Sequence, residues 1–193
     1  MATASPAPGE EHSIGLALVN TEVVHRGEPF DLLIGAEAIP DWLEARGLDW
    51  PRGSEITRAE AERLRGLRAA IRAAFVARIE GRPLDPGSLE ALNAASAAGP
   101  RTPQLSWASD GPELDWATPR EGTGLDVALA TIAADAIDVV SSPLGGLLRA
   151  CEAHGCVRLF LQDHGRRRWC SRTCGDRVRV ARHYEKTRRE RED

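Results

Sequence analysis

The stretches C-E-A-H-G-C at residues 151–156 and C-S-R-T-C at residues 170–174 contain all four cysteines of this 193-residue chain. The cysteines form two close pairs, C-x4-C and C-x3-C, separated by 13 residues. In a structural zinc site, two short chelating turns supply four thiolates at about 2.3 Å from a tetrahedral ion, and no coordination position stays open. The sequence therefore predicts one structural Zn²⁺. The predicted ligands are Cys151, Cys156, Cys170 and Cys174.

Other chemistries can use four cysteines. Two disulfides would need an oxidising compartment, and the first residues of the chain contain neither the basic region nor the apolar core of a signal peptide. An iron–sulfur cluster also takes four thiolates, but this spacing differs from both ferredoxin patterns. Four unrelated thiols are the plainest alternative. His154 and His164 lie inside the segment, and either could replace a cysteine as a ligand.

The residues between and after the pairs predict a small β/α unit around the metal. Apolar residues alternate with others over 157–162, a turn follows at 163–165, and 166–169 returns, which predicts a hairpin. After Cys170 the spacing becomes helical, with Val178, Ala181 and Tyr184 on one face. A knuckle, a hairpin and a helix that begins with the last ligands form a treble-clef-like zinc finger. Its small core, centred on Phe160 and Trp169, needs the metal to stay folded.

The segment contains Leu159-Phe160, Asp163, Arg167-Arg168-Trp169-Cys170, Cys174-Gly175-Asp176-Arg177 and Arg182-His183-Tyr184. In these residues it resembles the CGNR zinc finger. Asp176 stands where the family signature has Asn, and both the last cysteine pair and the hairpin are shorter than usual. Asp176 either adds negative charge to the surface that would face phosphate, or acts as a helix cap, or pairs with a neighbouring arginine.

The first two thirds of the chain contain, in order, Asn20-Thr21 after an apolar stretch, Asp31-Leu32, Trp42-Leu43 and Gly47-Leu48. With these motifs this part of the chain resembles the ABATE domain that accompanies such fingers. Proteins of this kind are described as transcription regulators. The resemblance implies that the N-terminal domain senses a small-molecule ligand or forms a homodimer, and that the finger binds DNA.

Hydrophobic and turn patterns predict a mainly α fold with small β elements. Residues 1–12 are rich in Ala, Pro, Gly and Glu and are predicted to be disordered. Residues 13–143 are predicted to form an ABATE-like helical domain with a β-hairpin, residues 144–189 the finger, and residues 190–193 a tail.

Within the helical domain, several elements have clear signals. Part of 14–24 is predicted to be a strand, and helices are predicted over 37–46, from a capping box at Thr57 to Gly81, over 85–99, and over 123–140 with Thr123 as N-cap. The hairpin is predicted over 102–118, with Trp107 and Trp116 covering a sheet face or lining a pocket. A short helical bridge over 144–149 leads to the finger.

Charge is distributed unevenly along the chain. Residues 1–148 carry 12 basic and 22 acidic side chains, a net charge of −10, whereas residues 149–193 carry 13 basic and 7 acidic, a net charge of +6. Twelve of these 13 basic residues are arginines, which suit bidentate contacts to phosphate and guanine. A basic end on an acidic body is typical of a nucleic-acid-binding module, although a solvated helix that docks on the acidic part would look the same.

The favoured hypothesis is a cytoplasmic, DNA-binding transcription regulator that is not an enzyme. The predicted DNA contacts are Arg166, Arg167, Arg168, Arg172, Arg177, Arg179 and Arg182. Two alternatives remain: a zinc module that binds an acidic protein, and an N-terminal domain that binds or converts a small molecule beside a purely structural finger. The chain contains no nucleophile elbow, phosphate loop or zinc-protease motif, and no apolar run is long enough to span a membrane.

Overall fold

The computed structural model describes residues 5–25, 27–35, 37–48, 50, 55–99, 102–108, 111–117 and 124–192, without the side chains of 25, 102–108, 111–117, 186, 191 and 192. The helices are α1 (Ile14–Val19), α2 (Ala38–Glu44), α3 (Arg58–Glu80), α4 (Pro86–Ala98), α5 (Gly124–Ser141) and α6 (Arg172–Glu192). The strands are β1 (Glu22–His25), β2 (Glu28–Asp31), β3 (Thr102–Ala108), β4 (Gly111–Ala117), β5 (Leu148–Ala150) and β6 (Leu159–Leu161). The mainly α fold class is confirmed.

Helix α3 forms as its local sequence predicts. The Thr57 side chain accepts a hydrogen bond from the Glu60 backbone, and the Glu60 side chain accepts one from the Thr57 backbone, so the capping box is complete. Gly81 ends the helix at φ 65°, a left-handed conformation that glycine adopts without strain. Leu64, Ile71 and Phe75 are fully buried along one face, because helical spacing places them together.

Helix α5 lies at the centre of the helical domain and packs against α1, α3 and α4. Ile132 and Ala133 are fully buried, and the abundance of alanine lets neighbouring helices approach closely. The expected central helix is therefore present. The predicted N-cap of α5, Thr123, lies outside the described residues.

The stretch over residues 14–24 contains both a helix and a strand. We expected part of it to be a strand, and β1 at Glu22–His25 is that part. Its first half is α1, which begins where the Ser13 side chain accepts a hydrogen bond from Leu16 N. Helix α1 is buried on almost every side, so it lacks the polar face that gives a helix its visible period.

Two β-hairpins accompany the helices. The predicted hairpin is confirmed as β3 and β4, in which Leu105 lies opposite Leu114. The side chains of Trp107 and Trp116, and with them the prediction of a covered face or pocket, lie outside the described residues. The second hairpin pairs β1 with β2, with Val23 opposite Phe30; the sequence analysis did not predict it.

The predicted helical bridge to the finger is present as a 3-10 helix at Pro143–Leu147. It ends two residues earlier than predicted and runs directly into β5. Strand β6 pairs antiparallel with β5, and Leu148 lies opposite Leu161. The predicted hairpin between 157–162 and 166–169 was therefore wrong in its partner, because the return segment is irregular and the strand before the first cysteine takes its place.

Residues 5–12, predicted to be disordered, form turns that pack on the finger. Ala7 is 1% exposed and lies beside Cys151, Phe160 and Cys170. Gly9 has φ 96°, and a Cβ atom there would lie 2.6 Å from Leu161 Cγ. Composition alone could not show this, because small residues also suit a segment that approaches another backbone closely.

Helix length and hydropathy rule out one role for the described helices. Among the helices in the described ranges, none combines the length and apolar character that a bilayer-spanning segment needs.

Candidate metal centre and basic surface

The first pair of cysteines lies in a knuckle between β5 and β6. Cys151 N donates to Arg158 O at 3.0 Å and Cys156 N donates to Ala153 O at 2.9 Å, which closes the loop twice. Gly155 takes φ 70°, the left-handed conformation that the tight turn requires. The β5–β6 pair thus fixes both ends of the chelating loop and aims both sulfurs toward the start of α6.

The second pair lies at the N-terminus of α6. The Ser171 hydroxyl accepts a hydrogen bond from Cys174 N at 3.2 Å, so Ser171 caps the helix. Cys170 N donates to the Cys151 sulfur at 3.4 Å, which links the two lobes of the site. Gly175 is buried against Trp169, and a Cβ atom there would lie 3.2 Å from the indole ring. The helix start is therefore held by a cap, by a sulfur contact and by close packing.

The four sulfurs have the spacing of a tetrahedral zinc site. The Cys156–Cys170 and Cys170–Cys174 Sγ distances are 3.7 Å, and the Cys156–Cys174 distance is 3.8 Å. A tetrahedron with Zn–S bonds of about 2.3 Å has edges of about 3.8 Å. All four cysteines are free thiols, so the two disulfides considered above are not present. These residues are the one group in the described part of the chain that could hold a metal ion, and His154 and His164 are not among its members.

The chemistry of the donor set also fits a cation. Hydrogen bonds from the thiols of Cys156 and Cys170 lower the pKa of Cys151 to about 2. The same contact with Cys151 raises the pKa of Cys156 to about 11 and also raises the pKa of Cys170. Among themselves the sulfurs thus favour one thiolate and resist further ionisation. A divalent cation removes this conflict, because thiolates are the form that binds zinc.

The seven predicted DNA-contacting arginines lie in two places. Arg166, Arg167 and Arg168 lie in the loop between β6 and α6, and the other four lie on α6. Arg172, Arg179 and Arg182 share one broad stripe of the helix, because their spacing of seven and three residues keeps them within about 80° of one another around its axis. Arg177 lies on another side, where its guanidinium is 3.9 Å from the Cys174 sulfur.

Three of the seven arginines are paired with acids. Arg167 makes two hydrogen bonds to Asp163, at 2.7 and 2.9 Å, which lower the pKa of that carboxyl. Arg168 pairs with Glu152, and Arg179 with Asp176. Of the roles considered for Asp176, the structure shows the pairing with a neighbouring arginine. Sequence spacing of three or four residues could have indicated two of these pairs, but Glu152 and Arg168 come together only through the zinc fold.

The other arginines leave a free basic surface. Arg166, Arg172 and Arg182 are exposed, and none has an ion pair or hydrogen bond with the described residues. Val178 is the last residue of α6 that packs on the finger core. Beyond it the helix continues with exposed side chains, including Val180 at 53% and Tyr184 at 71% exposure. The finger thus presents a projecting basic helix beside a basic loop.

Two family models match the chain. The model of the ABATE family, described as "Putative stress-induced transcription regulator", matches residues 12–143. The model of the CGNR zinc finger matches residues 148–187. No curated protein matches the chain. The second match and the sulfur geometry together show that the finger holds one structural zinc ion through its four cysteines.

Proposed function

We propose, on the premise that this chain belongs to the ABATE family and carries a CGNR zinc finger, that it regulates transcription by binding DNA through the finger. The observation that carries the proposal is the projecting helix α6, which begins in the zinc site and is exposed beyond Val178. A helix of 21 residues is about 31 Å long, enough to lie along a DNA groove. In this proposal the protein is a cytoplasmic regulator and not an enzyme.

Charge on the helix supports this role. Arg172 and Arg182 lie on one stripe and have no acid partner in the described part of the chain, so both guanidinium groups can approach phosphate. Arg179, on the same stripe, is neutralised in part by Asp176. Arg166 adds a free charge on the neighbouring loop. Arg167 and Arg168 contribute less to direct contact, because each must first leave its carboxylate.

The experiment is a salt titration of the zinc-loaded full chain against random duplex DNA. If roughly six phosphates are contacted, log K falls with log salt at a slope of about −5. The double variant Arg172→Ala/Arg182→Ala should make the slope shallower by about 2, because two phosphate contacts are lost. The matched control, Arg58→Ala/Arg82→Ala, changes the net charge equally on exposed helix-terminal sites of the N-terminal domain.

The outcomes separate three cases. Weaker binding for the α6 variant and unchanged binding for the control support the proposal. Equal weakening in both variants would assign the effect to net charge and remove α6 from the interface. A slope near zero for the zinc-loaded protein would show that it neutralises no phosphates, and the finger would then become a module for an acidic protein partner.

The N-terminal domain supplies the regulatory input in this proposal, through a ligand or a second copy of the chain. Its candidate surface is an apolar groove of about 460 Å³ beside the β1–β2 hairpin. Phe30 and Ile34, at 51% and 67% exposure, lie on it. Ile34→Asp should abolish any concentration-dependent increase of mass in sedimentation if the groove forms a homodimer. A mass that does not change with concentration would leave the groove to a ligand.

A further inference from the structure

Strand β6 of the zinc finger has two edges, and the finger itself supplies a partner for only one of them. Toward β5, the backbone pairs in the register Ala150 to Leu159, and Gln162 N donates to Leu147 O at 2.8 Å. The amides of Leu159 and Leu161 point the other way, toward the N-terminal domain. An edge of this kind, if left unpaired inside a protein, would carry buried polar groups without partners.

The Asn20 side chain occupies the second edge as a strand would. Its Oδ1 accepts a hydrogen bond from Leu159 N at 2.9 Å, and its Nδ2 donates to Leu159 O at 2.9 Å. Asn20 is 4% exposed, so water does not compete for these bonds. One carboxamide thus satisfies both backbone groups of a residue in the finger, from a position 139 residues earlier in the chain.

Residues 5–12 continue this edge, and we call them the strap. Pro8 O accepts a hydrogen bond from Leu161 N at 2.8 Å. Glu10 Oε1 accepts from Asn20 Nδ2 at 2.8 Å and from Arg158 Nη2 at 2.6 Å, and both the Glu10 and Arg158 side chains are 9% exposed. The strap, Asn20 and Arg158 therefore form one connected and largely buried network across the junction.

The two faces of β6 also pack against residues from outside the finger. Leu148, Leu159 and Leu161 belong to the apolar core that they share with the helices of the N-terminal domain. Phe160 points to the opposite side, into the cluster around the zinc ligands, where Ala7 of the strap joins it. Each face of β6 is thus completed by residues from outside the finger.

We propose that Asn20 is a positioning residue for the zinc finger, and that with the strap it holds β6, and through it the basic surface, in one orientation on the N-terminal domain. A consequence is that residues 148–187 do not form a self-sufficient module. Asn20 and Thr21 were singled out in the sequence without a role, and this assigns one to Asn20. The link to DNA rests on the proposed function; the link to β6 does not.

The test is hydrogen exchange on the zinc-loaded full chain carrying Asn20→Ala. The Leu159 amide should exchange faster by about tenfold or more, because its acceptor is lost, and helix α3 should keep its protection. The matched control is Asn93→Ala, an exposed asparagine on α4. Unchanged protection at Leu159, or an equal loss in α3 that signals only global unfolding, would overturn the proposal.

A second variant tests the strap without touching Asn20. Gly9→Ala would place a Cβ atom against the Leu161 side chain, so the strap should lift and the Leu161 amide should exchange faster. Gly47→Ala is the control, because Gly47 also has a positive φ, 65°, but has no atom within 4 Å of the added carbon. Equal effects of the two variants at Leu161 would mean that backbone strain alone is responsible.

DNA affinity distinguishes a positioning role of Asn20 from a purely structural one, because a purely structural role would leave the affinity unchanged. Asn20→Ala should retain one zinc per chain and lower DNA affinity several-fold with an unchanged salt slope, because no phosphate contact is removed. A changed salt slope would contradict the positioning role. So would an unchanged DNA affinity in a variant whose Leu159 amide exchanges faster. If the unaltered protein does not bind DNA, the proposed function fails while the exchange experiment still decides the role of Asn20.

Discussion

At the scale of single residues, Arg68 forms the polar centre of the N-terminal domain. It is 4% exposed on the buried side of α3. Its guanidinium donates two hydrogen bonds of 2.7 Å to the Asp31 carboxylate and one of 2.8 Å to Thr21 Oγ1. Burial alone would raise the pKa of Asp31, but the bonds from Arg68 and from Leu33 N outweigh it and hold the pKa of that carboxyl below its usual range.

The first prediction concerns the charge of Asp31. Asp31→Asn should lower the free energy of unfolding by about 2–3 kcal/mol at pH 7, because Arg68 then keeps only the more distant carboxylate of Glu22, at 3.4 Å. The folded-state pKa is depressed, so the stabilisation is present above about pH 4 and is lost as pH falls through the folded pKa.

Urea unfolding between pH 7 and pH 2 measures both effects. The unaltered protein should lose more stability than Asp31→Asn on acidification below pH 4, so the two curves should converge. Asp41→Asn, which removes an exposed carboxyl on α2, is the control. This variant should lose as much stability on acidification as the unaltered protein. Parallel curves for Asp31→Asn and the unaltered protein would show that this ion pair does not titrate with folding.

At the scale of elements, the start of α6 combines a helix cap with a metal ligand. Ser171 caps the helix through Cys174 N, so the hydrogen bond that begins the helix also fixes a zinc ligand. Thiolates at this end are further favoured by the helix dipole. Correct placement of one element therefore serves both the metal site and the exposed basic stripe.

The second prediction follows from this cap. Ser171→Ala should remove about 1 kcal/mol from the helix start and weaken zinc binding by roughly fivefold, because Cys174 is then held less firmly. Competition with a chromogenic chelator measures the zinc affinity. Ser96→Ala, a substitution of the same kind on α4, should leave it unchanged. An unaltered affinity for Ser171→Ala would show that the metal alone positions the helix start.

Elements also show where local sequence was enough. The sequence predicted the capping box at Thr57, the αL glycine at Gly81 and the alternation in β6. Each of these features depends on residues only a few positions apart. The sequence did not predict the partner strand of β6. One candidate segment precedes β6 and another follows it, and the pairing depends on which of them the zinc knuckle brings next to β6. Helix α1 could not be predicted either, because a helix buried on almost every side has no polar face to mark its period.

At the scale of the whole molecule, the metal site and the helical domain share one apolar core. Leu148, Leu159 and Leu161 pack with the helices, while the strand that carries two of them is anchored by the zinc knuckle. Loss of zinc should therefore destabilise the helical domain as well as the finger. The shared core distinguishes this molecule from one in which a flexible linker connects the finger to the rest of the chain.

The third prediction tests this shared core. Removing zinc with a strong chelator should lower the helical melting temperature by about 5 °C or more, because the three leucines lose their fixed positions. Circular dichroism at the helical band measures it. A variant with all four cysteines changed to serine should melt at the lower temperature with or without chelator. An unchanged melting temperature after verified zinc loss would indicate two independent cores.

The sequence by itself determined the metal, its four ligands, the mainly α class and the family, because these depend on residue types at short fixed spacings. It also located the basic end of the chain. Only the tertiary structure decided that Arg167, Arg168 and Arg179 are paired, while Arg166, Arg172 and Arg182 have no partner among the residues that the structure describes. It alone showed that the strap and Asn20 complete the finger, because hydrogen bonds between residues 139 positions apart leave no periodic signal in the sequence.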